Sequence, residues 1–128
     1  MEVFMKPTTD FPFLLDNPRA WRTYLGGRML DALHGDSNGE DGHFPEEWIL
    51  STVAARNAGR ERFPEEGMSH LRGTDVTLRS VLESDTEGYL GKGAVQPTLG
   101  VLTKLIDSAE RLTLQVHPDR PTALRLFR

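Results

Sequence analysis

The chain of 128 residues carries a formal net charge of −4 and contains no cysteine. Its length is enough for one domain with a real core, and its acidic balance argues against nucleic-acid binding, which needs a basic surface. Without thiols, any metal must be held by histidine, carboxylate or amide groups. The sequence shows neither a signal peptide nor an apolar run that could span a membrane, so we expect a soluble cytoplasmic protein.

The N-terminal segment is predicted to be an irregular arm, because three prolines break it into short extended pieces: Pro7, Pro12 and Pro18. Asp16 or Asn17 can cap a short helical turn that has Pro18 at its first position and continues over residues 19–24. The adjacent glycines at 26–27 permit backbone angles that other residues resist, and they therefore favour a turn.

The middle of the chain is predicted to contain one strand and one helix. Residues 34–44 are rich in Gly, Asp, Ser and Asn, which is typical of a solvated loop, and their spacing does not fit a calcium-binding loop. Residues 45–53 include aromatic and β-branched side chains that suit a half-buried strand. A short helix is expected over residues 74–82, with Thr74 or Asp75 as its cap.

Two apolar segments near the C-terminal end predict a β-hairpin. Residues 101–107 form a nearly continuous apolar strand, and residues 108–111 can turn it back on itself. Over residues 112–117 apolar and polar side chains alternate, which predicts a second strand. A last helix is expected to follow, with Asp119 as its cap and Pro121 in its first turn.

The second predicted strand places Thr113, Gln115 and His117 on one face. An imidazole and an amide two residues apart on a strand are a common beginning of a divalent-metal site. The same pattern is also compatible with a surface histidine that is merely hydrogen-bonded. Spacing alone therefore leaves both interpretations open.

Lys104 interrupts the first of the two apolar segments. An ammonium group in such a strand is costly unless it meets water, a carboxylate or an anionic ligand. From the residues alone, Lys104 is either an edge lysine that extends into solvent or a functional residue.

Two segments resemble type I mannose-6-phosphate isomerases, also called phosphomannose isomerases, which are zinc enzymes of the cupin fold. The segment Gln115-Val116-His117-Pro118-Asp119 is similar to the metal-binding strand of that family, and residues 99–109 resemble the strand that precedes it. The resemblance covers most of the chain from about Trp21 onward. It implies a mainly β fold, namely a portion of a cupin-like, jelly-roll β-barrel with short helices and the irregular N-terminal arm.

The resemblance also implies a function. Members of the family interconvert mannose 6-phosphate and fructose 6-phosphate by moving a proton between adjacent carbons, and zinc polarises the sugar oxygens. It implies that Gln115 and His117 are zinc ligands and that Lys104 and Thr113 contact the sugar-phosphate substrate, whereas no catalytic base is identified. Leu25 stands where the family carries a tryptophan near the active site, and Tyr24 or Trp21 could supply that aromatic contact instead.

The two remaining ligands of the family, a glutamate and a second histidine, come from later in its chains. We therefore expect residues 1–128 to form a single, incomplete domain that binds zinc weakly and has no isomerase activity alone.

Two other functional classes remain open. A non-catalytic cupin-like protein could bind a sugar or sugar phosphate in the same pocket without turnover. A metal-dependent cupin oxygenase fits less well, because such enzymes usually carry two histidines and a glutamate close together on one pair of strands.

Overall fold

The computed structural model describes Pro12 and residues 14–127. Within these residues the chain forms two small antiparallel sheets and four short helices. The elements in chain order are β1 (Leu15–Asp16), β2 (Arg19–Ala20), α1 (Arg28–Leu33), β3 (Glu46–Ile49), β4 (His70–Leu71), α2 (Leu78–Ser84), α3 (Thr86–Leu90), β5 (Thr103–Ile106) and α4 (Arg120–Leu126).

The larger sheet has three strands in the order β2-β3-β5, and β1 pairs separately with β4. In the larger sheet Glu47 lies opposite Arg19 of β2, and Trp48 lies opposite Lys104 of β5. The strands predicted within residues 45–53 and 101–107 are therefore confirmed as β3 and β5. Pairing of β3 stops at Leu50, whose φ of 54° lies in the left-handed region and turns the backbone out of the ladder.

Trp48 is the largest side chain of the buried cluster beneath the sheet, where it packs with Ala20 and Ala55. Gly67 lies directly against its ring, because a Cβ added there would come within 2.7 Å of Trp48 Cε3. The φ of Gly67 is also 83°, which side chains rarely adopt. Position 67 therefore requires glycine for two independent reasons.

The helices begin at capping residues. In α2, Thr77 Oγ1 accepts a hydrogen bond of 3.0 Å from the Ser80 amide, so this helix begins later than the predicted Thr74 or Asp75. The Thr74 hydroxyl instead donates a hydrogen bond to the Leu71 carbonyl in a local turn that precedes the helix. The predicted cap of α4 is confirmed, because Asp119 Oδ1 accepts a hydrogen bond of 2.9 Å from Thr122 N.

Two predictions of secondary structure are wrong. Residues 19–24 do not form a helical turn, since β2 pairs with β3 and the Pro18 carbonyl accepts a hydrogen bond from Trp48 N. Residues 112–117 do not form a strand, and β5 pairs with β3 and not with them. Leu114 is 96% exposed and Val116 83% exposed. These apolar side chains therefore do not pack against an apolar layer of the described residues.

The described residues therefore form a small mixed arrangement of short helices and antiparallel sheets. A closed barrel is not formed by this part of the chain. Most of the predicted N-terminal arm lies outside the described residues. None of the helices within the described ranges is long and apolar enough to cross a membrane.

Candidate functional site

Strand β3 carries two adjacent buried carboxylates, Glu46 and Glu47. Because successive side chains of a strand point to opposite faces, the two carboxylates lie on opposite sides of the sheet. Glu46 shares its face with Trp48, and Lys104 is paired opposite Trp48 on β5. The register therefore brings the anomalous lysine onto the same face as a buried carboxylate.

The Glu46 carboxylate accepts hydrogen bonds from four side chains. Its Oε1 accepts from the Tyr24 hydroxyl at 2.6 Å and from Lys104 Nζ at 3.1 Å. Its Oε2 accepts from Trp48 Nε1 at 2.8 Å and lies 2.8 Å from the Arg22 guanidinium. Glu46 is only 3% exposed, so these partners replace the water that an ionised carboxylate requires.

These contacts decide the protonation state of Glu46. Burial would raise its pKa, but hydrogen bonds from Arg22, Tyr24, Trp48 and Lys104 outweigh burial and lower the pKa to about 2. Burial, together with the hydrogen bond to Glu46, raises the pKa of Tyr24 above its ordinary value. Glu46 is thus ionised at neutral pH and a poor proton acceptor, and its contacts suit it to positioning the surrounding cations.

Glu46 and Lys104 line a cleft of about 520 Å³. Thr113 and Gln115, two further residues that the sequence predicts for the site, line the same cleft, whereas His117 is not among its lining residues. The structure therefore brings together three of the four predicted site residues. The Lys104 side chain is 33% exposed, so its ammonium contacts both the carboxylate and the open cleft.

Glu47 belongs to a separate network on the other face of the sheet. Its Oε2 lies 2.6 Å from His34 Nε2 and 3.5 Å from Arg19 Nε. The Arg19 guanidinium in turn forms an ion pair of 2.8 Å with Asp31 of α1. Because β2, α1 and β3 each contribute to this network, it attaches the helix to the sheet.

The expected zinc ligands do not belong to a cluster of three His, Cys, Asp or Glu side chains among the described residues. Gln115 and His117 are both exposed, and they lie in a segment without strand geometry, so they need not share a face. Across Pro12 and residues 14–127, no group of three His, Cys, Asp or Glu side chains could hold a metal ion. A catalytic zinc usually has three protein ligands. The two residues can therefore contribute at most part of a site.

Four charged residues of the cleft were not predicted for the site from sequence: Arg22, Glu46, Glu110 and Arg111. Two features of the sequence point to Glu46. It lies two residues before Trp48 on a predicted strand, so the two side chains share a face, and a single lysine interrupts another apolar strand. They could be combined only if the register between β3 and β5 were known. Local sequence contains no comparable signal for the other three residues.

No protein-family model matches this chain, and no curated protein or solved structure shows significant similarity to it.

Proposed function

We propose that the chain binds a sugar phosphate in this cleft as part of a protein similar to the type I mannose-6-phosphate isomerases, with the cupin fold of that family. The proposed reaction interconverts mannose 6-phosphate and fructose 6-phosphate. One observation supports the proposal above others: Lys104, Thr113 and Gln115, which the resemblance associates with substrate or metal, line one cleft.

The size and chemistry of the cleft are compatible with such a ligand. Its volume of about 520 Å³ lies within the range of small-molecule sites, roughly 300–1,000 Å³. Lys104 supplies a positive charge for an anionic group, and Thr113 supplies a hydroxyl that can bond to a sugar hydroxyl, while Gln115 is one of the proposed zinc ligands. The same lining contains few large apolar side chains, which suits a polar ligand.

The proposed reaction needs a base that removes a carbon-bound proton. Glu46 is unsuited to this role, because its pKa of about 2 leaves it little affinity for a proton at neutral pH. We therefore assign Glu46 to positioning Arg22 and Lys104, and we assign the base to no residue. Zinc, when bound, would polarise the sugar oxygens, and Gln115 and His117 are the residues that would hold it.

The test compares mannose 6-phosphate with unphosphorylated mannose. We expect Lys104→Met to weaken binding of the phosphorylated sugar by about tenfold or more, because a charge-assisted contact is lost, and to change mannose binding much less. Isothermal titration would measure both affinities. Lys92→Met is the matched control, since Lys92 is an exposed lysine that does not line the cleft. Equal losses for the two sugars would return Lys104 to a structural role.

A second candidate is a sugar-phosphate-binding protein without turnover. The irregular backbone of residues 112–117 favours it, because Gln115 and His117 are not held on one strand face as a preformed metal site requires. Both candidates predict binding without conversion for residues 1–128 alone, so the separating assay uses the chain continued with a segment that carries a glutamate-containing strand and a further histidine. With added zinc, conversion of mannose 6-phosphate by that longer protein supports the first candidate, and binding without conversion supports the second.

A further inference from the structure

Arg111 lines the same cleft as Lys104 and differs from its other cations in having no partner among the described residues. Arg22 and Lys104 both contact the Glu46 carboxylate, at 2.8 and 3.1 Å. Within the ranges that the structure describes, the Arg111 guanidinium forms neither an ion pair nor a hydrogen bond, and no aromatic ring stacks on it. It is therefore the cation of the cleft that is free to bind a ligand.

The charges around the cleft show why an anion would be favoured there. Its lining contains three cations, Arg22, Lys104 and Arg111, against two carboxylates, Glu46 and Glu110. Glu46 is occupied by two of the cations, and Glu110 Oε1 accepts a hydrogen bond of 3.0 Å from the Leu25 amide. One positive charge is thus left uncompensated, and its natural partner is an anion that enters from solvent.

We propose that Arg111 binds the phosphoryl group of the substrate and determines the preference for phosphorylated over free sugar. This inference rests on the proposed function and adds a residue that neither the spacing nor the resemblance singled out. A guanidinium can donate two parallel hydrogen bonds to phosphate oxygens, which gives a stronger and better-oriented contact than a single ammonium. Lys104 assists from β5 while Glu46 holds it in place.

The position of Arg111 in the chain supports this assignment. Arg111, Thr113 and Gln115 lie within one short segment, residues 110–115, of which all but Leu114 line the cleft. A ligand whose phosphoryl group is bound by Arg111 can therefore place sugar hydroxyls near the hydroxyl of Thr113. The segment thus provides a charged group for the phosphoryl group and a neutral hydrogen-bonding group for the sugar.

The experiment measures the affinities of the full chain for mannose 6-phosphate, mannose and inorganic phosphate by isothermal titration. We expect Arg111→Gln to weaken binding of mannose 6-phosphate and of phosphate by about tenfold or more, while mannose binding changes by less than about twofold. Arg111→Lys keeps the charge but not the two-pronged geometry, and it should restore only part of the loss. Arg125→Gln is the control, because Arg125 is exposed on α4 and does not line the cleft.

The outcomes separate this inference from the proposed function. If the unmodified chain binds mannose 6-phosphate and Arg111→Gln binds it equally well, the inference is overturned and the proposed function stands. Equal losses for mannose and its phosphate overturn the inference as well, because Arg111 would then affect the shape of the cleft and not its charge. If the unmodified chain binds neither the phosphorylated sugar nor phosphate, both proposals are overturned. Circular dichroism of each variant checks that the fold is retained.

Discussion

Replacing Glu46 by glutamine tests the central contact of the site. The substitution keeps the size of the side chain but removes the charge that Arg22 and Lys104 share, and the new amide NH₂ would face one of the existing donors. Breaking a buried ion pair by removing one partner costs about 3–5 kcal/mol. Because Arg22 is 19% and Lys104 33% exposed, water can partly solvate them afterwards, so we expect a loss of about 2–4 kcal/mol.

The pH dependence of this loss identifies its cause. The pKa of Glu46 falls from an ordinary 4.5 to about 2 in the folded chain, a difference worth roughly 3 kcal/mol at neutral pH. Since the folded pKa is the lower one, the stabilisation is fully present above pH 4.5 and disappears as the pH falls towards 2. The stability difference between the native chain and Glu46→Gln should therefore shrink to roughly half or less at pH 3.

Urea unfolding of both proteins between pH 7 and pH 3 measures this difference directly, because groups common to both cancel. Glu83→Gln is a suitable control, since the Glu83 side chain is 50% exposed and its pair with Arg79 lies on a helix surface. We expect that control to lose less than about 0.5 kcal/mol at any pH. A difference for Glu46→Gln that stayed constant from pH 7 to pH 3 would refute the electrostatic explanation.

Three further predictions concern the metal, a helix cap and a glycine. His117→Ala should weaken zinc binding by at least about tenfold in equilibrium dialysis, as expected for a change at a metal site, and unchanged zinc affinity would exclude this residue as a ligand. Thr77→Ala should cost about 1 kcal/mol in urea unfolding, because the Ser80 amide loses its acceptor; Thr77→Ser, which keeps the hydroxyl, should restore most of that loss. Gly67→Ala should lose about 1–3 kcal/mol and alter the fluorescence of Trp48, whose ring a new Cβ would approach to 2.7 Å; an unchanged emission spectrum would contradict the packing described here.

Lys104 shows how far sequence reasoning reached for the site. Its position in an apolar strand indicated that the ammonium needs a carboxylate, an anion or water. The structure supplies a carboxylate, Glu46, from a strand 58 positions away in sequence, together with partial exposure to a cleft. The local sequence therefore showed that Lys104 needs a polar partner, but it did not show that this partner is Glu46.

The segment 112–117 shows the opposite case. Its alternation of apolar and polar residues is typical of a strand, but a strand also needs a partner with free backbone groups and an apolar surface beneath it. Within the described residues β5 pairs with β3, and residues 112–117 have no such partner. The alternation of apolar and polar side chains over residues 112–117 is thus not sufficient to form a strand.

The sequence by itself determined the features that depend on neighbouring residues. Asp119 caps α4 because its carboxylate reaches an amide three residues away, and Thr103 and Ile106 are β-branched residues that favour the strand formed there. Only the tertiary structure decided that β3 lies between β2 and β5, and hence that Glu46 meets Lys104 in the cleft while Glu47 meets His34 on the other face. Register couples residues that are far apart in the chain, and a shift by one position would exchange the two carboxylates between the faces of the sheet.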